Sequence, residues 1–158
     1  MKFKIKKLTF AYLIFLCVIV FALWYPFLHA DDDIDFSLMT NTMQVFTDDQ
    51  MQEQSEKTLS KIYLVKPTEY EAVFTYGPIS YMNVEELTVF YQPDSTMRTQ
   101  LLNKVKKHIK SQINVFEGYG EVQTKLLKEA YVKEKGNYVI CIVSENVDKA
   151  SAAFNKLF

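Results

Sequence analysis

Ala130–Ser144, AYVKEKGNYVICIVS, is the stretch that decides the fold. Ala130–Lys135 and Tyr138–Ser144 are two extended runs separated by Gly136-Asn137, a tight two-residue turn between strands. YVICIVS is apolar on both faces, the pattern of an interior strand covered from both sides. Its partner carries Lys133 and Lys135, charges that suit a sheet edge because they discourage pairing with other chains.

Working outward, Asn146 to about Leu157 places Val147, Ala150, Phe154 and Leu157 on one side of a helix. Upstream, Thr96–Phe116 carries the clearest stripe: Met97, Leu101, Leu102, Val105, Ile109, Ile113 and Phe116, with Lys106, Lys107 and Lys110 pointing away. Asp94 or Ser95 caps it, and Gly118-Tyr119-Gly120 breaks it. Before it, Glu86–Tyr91 (ELTVFY) reads as a second strand apolar on both faces, and Tyr70–Tyr76 as an alternating strand ended by Gly77-Pro78. Phe36, Met39, Met43 and Phe46, and then Leu59, Ile62 and Tyr63, mark two short helices that need a surface to lie on.

The order is therefore two short helices, then strand–strand–helix twice. This predicts an α+β domain over 36–158, with a ββαββα four-stranded, mainly antiparallel sheet and helices packed on it. Glu86–Tyr91 and Tyr138–Ser144 are the expected interior strands; Tyr70–Tyr76 and Ala130–Lys135 are the expected edges. If both long helices cross the same side, the second face is bare and calls for the 36–63 helices, a second copy or a partner; the 36–63 segment, whose own apolar stripes need a surface, is the expected cover.

The amino-terminal part is different in kind. Leu8–Leu28 (LTFAYLIFLCVIVFALWYPFL) holds no charge over 21 residues, and a helix of that length rises about 30 Å, the thickness of a bilayer core. Lys2, Lys4, Lys6 and Lys7 precede it, while Asp31, Asp32, Asp33 and Asp35 follow. This asymmetry predicts a cytoplasmic amino terminus, one membrane pass and an extracytoplasmic remainder. Trp24 and Tyr25 fall at the distal headgroup level. The expected organisation is 1–29 as cytoplasmic lysines plus anchor, 30–35 as acidic linker and 36–158 as the folded domain. The alternative is secretion after cleavage following Ala30, but the apolar run exceeds the roughly 7–15 residues of a signal-peptide core.

Composition excludes several classes. The 158 residues suit one domain; 49% are hydrophobic and 23% charged, which is no disordered chain. Lys and Arg number 18 against 19 Asp and Glu, but removing the four leading lysines leaves 14 against 19 on 31–158, a net −5. Nucleic acid is therefore not an expected partner. Two cysteines, Cys17 and Cys141, make neither a disulfide scaffold nor a four-ligand zinc site.

Chemistry is sparse along the sequence. His108, at the margin of the long helix stripe, reads as a surface or boundary histidine, and Cys141, inside the best strand, as a buried inert thiol. Asp31–Asp35 lacks the glycine turn and distal Glu of a calcium loop. Glu85-Glu86 points its carboxylates to opposite faces of a strand. No phosphate-cradling glycine motif occurs, so no catalytic residue, cofactor or metal is expected. Tyrosine stands out: ten are present, and Tyr81, Tyr119, Tyr76 and Tyr138 are candidates for a recognition surface, centred on Gly77–Tyr81 and Phe116–Tyr119.

Glu85–Phe90 (EELTVF), Phe116–Tyr119 (FEGY) and Lys135–Val139 (KGNYV), in that order, resemble the exported bacterial proteins of domain of unknown function family 4358, over roughly residues 36–158. The resemblance implies a small secreted, lipid-anchored or membrane-tethered protein of a Gram-positive envelope. Cys17 lies mid-segment after Leu16 and does not fit lipid attachment. No activity or catalytic residue comes with the family. The expected function is a membrane-tethered, non-catalytic binding or accessory module that contacts another protein or an envelope component. The alternatives are a small carboxylate-based envelope hydrolase or a ligand sensor.

Overall fold

The structure, a computed structural model, describes residues 10, 12–21 and 34–158. The chain divides into two compact units, Met1–Asp32 and Asp33–Phe158. In the first, residues 10 and 12–21 are helical with exposed side chains, and Cys17 is among them. The rest of the apolar segment 8–28, the four leading lysines, the position after Ala30 and Asp31–Asp33 lie outside the described residues. Among the described residues, no helix is long and apolar enough to cross a membrane.

The second unit is a mixed α+β domain. Its elements are α1 (Phe36–Gln44), β1 (Met51–Glu53), α2 (Glu56–Tyr63), a 3-10 turn (Pro67–Glu69), β2 (Ala72–Pro78), β3 (Glu86–Tyr91), α3 (Ser95–Phe116), α4 (Glu121–Lys128), β4 (Tyr131–Lys135), β5 (Tyr138–Val143) and α5 (Val147–Lys156). The sheet is antiparallel throughout, in the order β1-β2-β3-β5-β4. The central pair runs from Glu86↔Val143 to Tyr91↔Tyr138, so the two strands apolar on both faces meet in the middle. The sheet has five strands where four were expected. Met51–Glu53 pairs with the far end of β2, which makes β2 interior and β1 the true edge. Pro78 is tolerated because it is the last residue of β2, where a missing N–H interrupts no further pairing. Tyr70 precedes the strand and packs in the core instead.

The two long helices do not share a side. One face of the sheet, through Phe90, Val139, Cys141 and Val143, packs against α2, α3 and α4 (Leu59, Tyr63, Leu101, Val105, Ile109, Phe116, Leu126, Leu127). The other face, through Leu87, Val89, Tyr138, Ile140 and Ile142, packs against α1 and α5 (Met39, Met43, Ala150, Phe154). The 36–63 segment is thus split, with one short helix on each face. Helix α4 was not expected: it has eight residues, buries only Leu126 and Leu127, and begins at Gly120 without a side-chain cap.

Local chemistry secures the ends. Asp94 Oδ1 accepts from Met97 N at 2.7 Å and caps α3, and Asp35 caps α1 by accepting from Ser37 N at 2.8 Å. Arg98 then knots the two halves together. Its Nε donates to Glu134 Oε1 at 2.8 Å, and its Nη1 donates to the Gln92, Pro93 and Asn137 oxygens at 2.9, 3.0 and 3.3 Å. Gly136, at φ 53°, makes the left-handed step of the β4–β5 turn. Gly120 is required for close approach, since a Cβ there would stand 2.9 Å from the Phe116 ring.

Candidate functional site

Where β3 begins, a cleft of about 640 Å³ opens between α2, the 78–84 loop, α3 and Leu127 near the end of α4. Its floor holds Glu86 and His108, and its walls include Lys57, Lys61, Gln54, Tyr81, Asn83 and Gln112. The volume is in the range of small-ligand sites.

The floor follows from strand register. Glu86 is the first residue of β3 and shares a face with Thr88 and Phe90, so its side chain enters the layer beneath α3. Cys141 is its diagonal neighbour on β5, since Thr88 is the residue paired with Cys141. Sγ donates to Glu86 Oε1 at 3.2 Å. From above, α3 brings His108 Nε2 to 3.1 Å from Glu86 Oε2. Both carboxylate oxygens are therefore engaged. The Glu86 and His108 side chains are only 7% and 8% exposed.

A second layer of contacts fixes the imidazole. Tyr63 meets the His108 ring edge-on, with centroids 4.7 Å apart, and its hydroxyl donates to Thr88 Oγ1 at 3.1 Å. Thr88 and Thr75, cross-strand partners, share a hydrogen bond of 2.9 Å. Burial pushes the Tyr63 hydroxyl well above its ordinary range, with the Glu86 charge adding to it. The Cys141 thiol is likewise pushed up, first by burial and then by Glu86. A thiol so held is a donor and not a nucleophile, as its place in the strand suggested.

The walls are braced. Asn83 Nδ2 donates to Gln50 Oε1 at 2.7 Å, Ile79 N to Gln50 O at 3.1 Å, and Gln123 Nε2 to Met82 O at 3.0 Å. The 78–84 loop is thereby tied to β1 on one side and α4 on the other. Helix α2, capped by Ser55, buries Leu59 and Tyr63 and leaves Lys57 and Lys61 exposed, one turn apart.

This constellation orients an imidazole. With the carboxylate as acceptor, His108 donates from Nε2, and Nδ1 makes no hydrogen bond among the described residues; His108 is itself one of the residues lining the cleft. Among the described residues no hydroxyl or thiol bonds to His108, so no nucleophile is held against it. Among the described residues, no group of three or more His, Cys, Asp or Glu is arranged for a metal ion.

The four tyrosines singled out from the sequence separate. Tyr81 is fully exposed and lines the cleft. Tyr119 is exposed at the α3–α4 corner, its ring 5.6 Å from Phe116. Tyr76 packs half-buried on the opposite face of the sheet, beside Phe74. Tyr138 belongs to the core and not to a surface. It is fully buried, its ring stacks on Phe36 and its hydroxyl donates to the Ile34 carbonyl. Glu86 and His108 were passed over. The signal that could have found them is a charge at an interior position of a strand otherwise apolar on both faces, which demands a buried partner.

No curated protein and no solved structure matches the sequence. A family model does, that of Domain of unknown function (DUF4358), over residues 44–144. The matched span contains all five strands, α2, α3 and α4, and every residue lining the cleft; α5 lies beyond it. Since the match covers well over half of the 158 residues, the chain belongs to this family.

Proposed function

We propose that the protein is a membrane-tethered, extracytoplasmic binding module whose ligand sits in the cleft above the Glu86–His108 pair. The observation that carries this reading is the floor itself. Burying a carboxylate and an imidazole costs stability unless both are paired, and here both members of the pair line a ligand-sized space. The tether rests on the uncharged run 8–28 between four lysines and four aspartates. Anchoring keeps the cleft's local concentration high against partners at the same membrane.

A carboxylate hydrolase is less well supported. Such chemistry needs two acids facing one substrate, and among the described residues Glu86 is the one acid lining the cleft, with both oxygens engaged.

The test is a photoreactive amino acid placed at Tyr81 in intact cells, with the same residue at Asp148 on α5 as control. A discrete adduct at Tyr81 and none at Asp148 supports the reading. Equal patterns at both positions, or none at either, count against it. Protease added to protoplasts should digest the 36–158 domain; its full protection would remove the extracytoplasmic placement.

A further inference from the structure

We infer that the cleft's ligand is a short peptide bearing a free carboxylate, with Lys57 and Lys61 receiving the carboxylate and the polar walls receiving the peptide amides. The inference rests on the binding reading above and specifies its ligand.

Charge points first. The 31–158 part carries 14 Lys and Arg against 19 Asp and Glu, so an acidic surface is the default. The cleft departs from that default: Lys57 and Lys61 line it, and its one acid among the described residues, Glu86, is taken up by His108 and Cys141. Neither lysine makes an ion pair among the described residues, so both charges are available to a ligand. Two ammonium groups one helical turn apart leave an unbalanced positive edge, which an anionic group would neutralise.

The remaining lining selects among anions. Gln54, Asn83 and Gln112 are amides; Gln54 and Asn83 each spend one N–H, on Gln52 O and Gln50 Oε1, and keep a second N–H and a carbonyl oxygen, so donor and acceptor stand together in the pattern complementary to a peptide bond and not to a bare phosphate. Ile62, Val84 and Leu127 supply apolar wall between them, where a side chain of the ligand would sit. His108, oriented by Glu86 and Tyr63, adds a single fixed polar contact at the floor. A volume of about 640 Å³ accommodates a ligand of a few residues and no folded domain.

The experiment uses the full chain in lipid nanodiscs. It is incubated with a randomised pool of N-acetylated tripeptides carrying free carboxylates, or with the same pool as carboxy-terminal amides, and retained peptides are counted by mass spectrometry. Inorganic phosphate is the competitor. The expected result is at least tenfold greater retention of the carboxylate pool, and loss of that advantage in the Lys57→Ala/Lys61→Ala double variant. Both lysines are exposed, so the variant should keep the wild-type melting temperature, which is measured alongside. Equal retention of the two pools, an unaffected double variant, or displacement by phosphate at matched concentration overturns the inference. No retention of either pool also overturns it; if Tyr81 still gives its specific adduct in cells, the cleft remains a binding site for a different ligand, and if that adduct is missing too, the binding reading falls with it.

Discussion

Replacing Glu86 and His108 by leucine, singly and together, isolates what their pairing contributes. His108→Leu removes the donor at 3.1 Å from a carboxylate that is 7% exposed, leaving Oε1 with the Cys141 thiol and Oε2 without its imidazole. Leaving a buried charge unpaired costs about 3–5 kcal/mol. Glu86→Leu is milder: it orphans an imidazole N–H and a thiol, at about 1–3 kcal/mol. The double variant leaves neither a carboxylate nor a ring to satisfy and should return to within about 1 kcal/mol of wild type, because replacing both members of a buried hydrogen-bonded pair by apolar groups is often nearly neutral in stability. The coupling is therefore at least about 3 kcal/mol, a large value for two contacting residues. Urea denaturation of the full chain in mild detergent, followed by circular dichroism, measures all four corners of the cycle. If the two single losses simply sum to the double, the groups do not interact and Glu86 does not orient His108. A double variant as stable as wild type that no longer gives the Tyr81 adduct would mean the pair serves the ligand and not the fold.

Three further outcomes follow from local features. Cys141 and Tyr63 are both held protonated in the folded state, above ordinary values of 9.0 and 10.0. The unfolded chain releases those protons first, so their contribution is complete below pH 9 and is lost as pH rises. The fall should be about 1.4 kcal/mol per pH unit once the thiol titrates in the unfolded chain, steepening above pH 10; Cys141→Ala should delay its onset in urea midpoints measured from pH 7 to 11. Leu64 ends α2 at φ 55° with its side chain 66% exposed. Leu64→Gly should relieve that strain at little loss of burial and stabilise by about 0.5–1 kcal/mol, read as a higher urea midpoint. The Tyr70 hydroxyl is buried with no hydrogen-bond partner among the described residues. Tyr70→Phe should therefore stabilise by about 1 kcal/mol, and a lower melting temperature would show that the hydroxyl is satisfied after all.

What the sequence discloses about this fold depends on element length. Tyr138–Val143 and Glu86–Tyr91 are legible as central strands because six consecutive positions are apolar enough to need cover on both sides. The stripe from Leu101 to Phe116 identifies α3 just as directly. Met51–Glu53 has three residues, too few for alternation to register, and it forms because β2 offers an unpaired edge. Helix α4 escapes notice for want of a cap and of more than one turn of apolar spacing. The side on which each helix crosses is a matter of tertiary geometry, and local pattern does not encode it.

The site was still less accessible to reading along the chain. Glu86 and His108 are 22 positions apart, and Cys141 lies 55 beyond Glu86. No motif links them; strand register and the position of α3 do. The alternation argument set Glu85 and Glu86 on opposite faces but was not carried on to its corollary, that Glu86, the first residue of β3, turns its carboxylate inward. Tyrosine abundance misled in part, because Tyr138 serves as a core ring whose hydroxyl reaches the Ile34 carbonyl, while Tyr81 alone of the four reaches the cleft.

The middle pairing of the sheet couples the two hairpins into one folding event. Strand β3 is synthesised well before β5, yet each has the other as its neighbour, and Arg98 closes its knot only after Glu134 and Asn137 are in place. A nascent chain halted near Gly118 would display a greasy ribbon along β3 with half its backbone groups unmet. Such a fragment cannot rest as a smaller version of the whole. Whatever surveillance operates where this protein matures should therefore encounter either the finished domain or a conspicuous degradation substrate, with little in between.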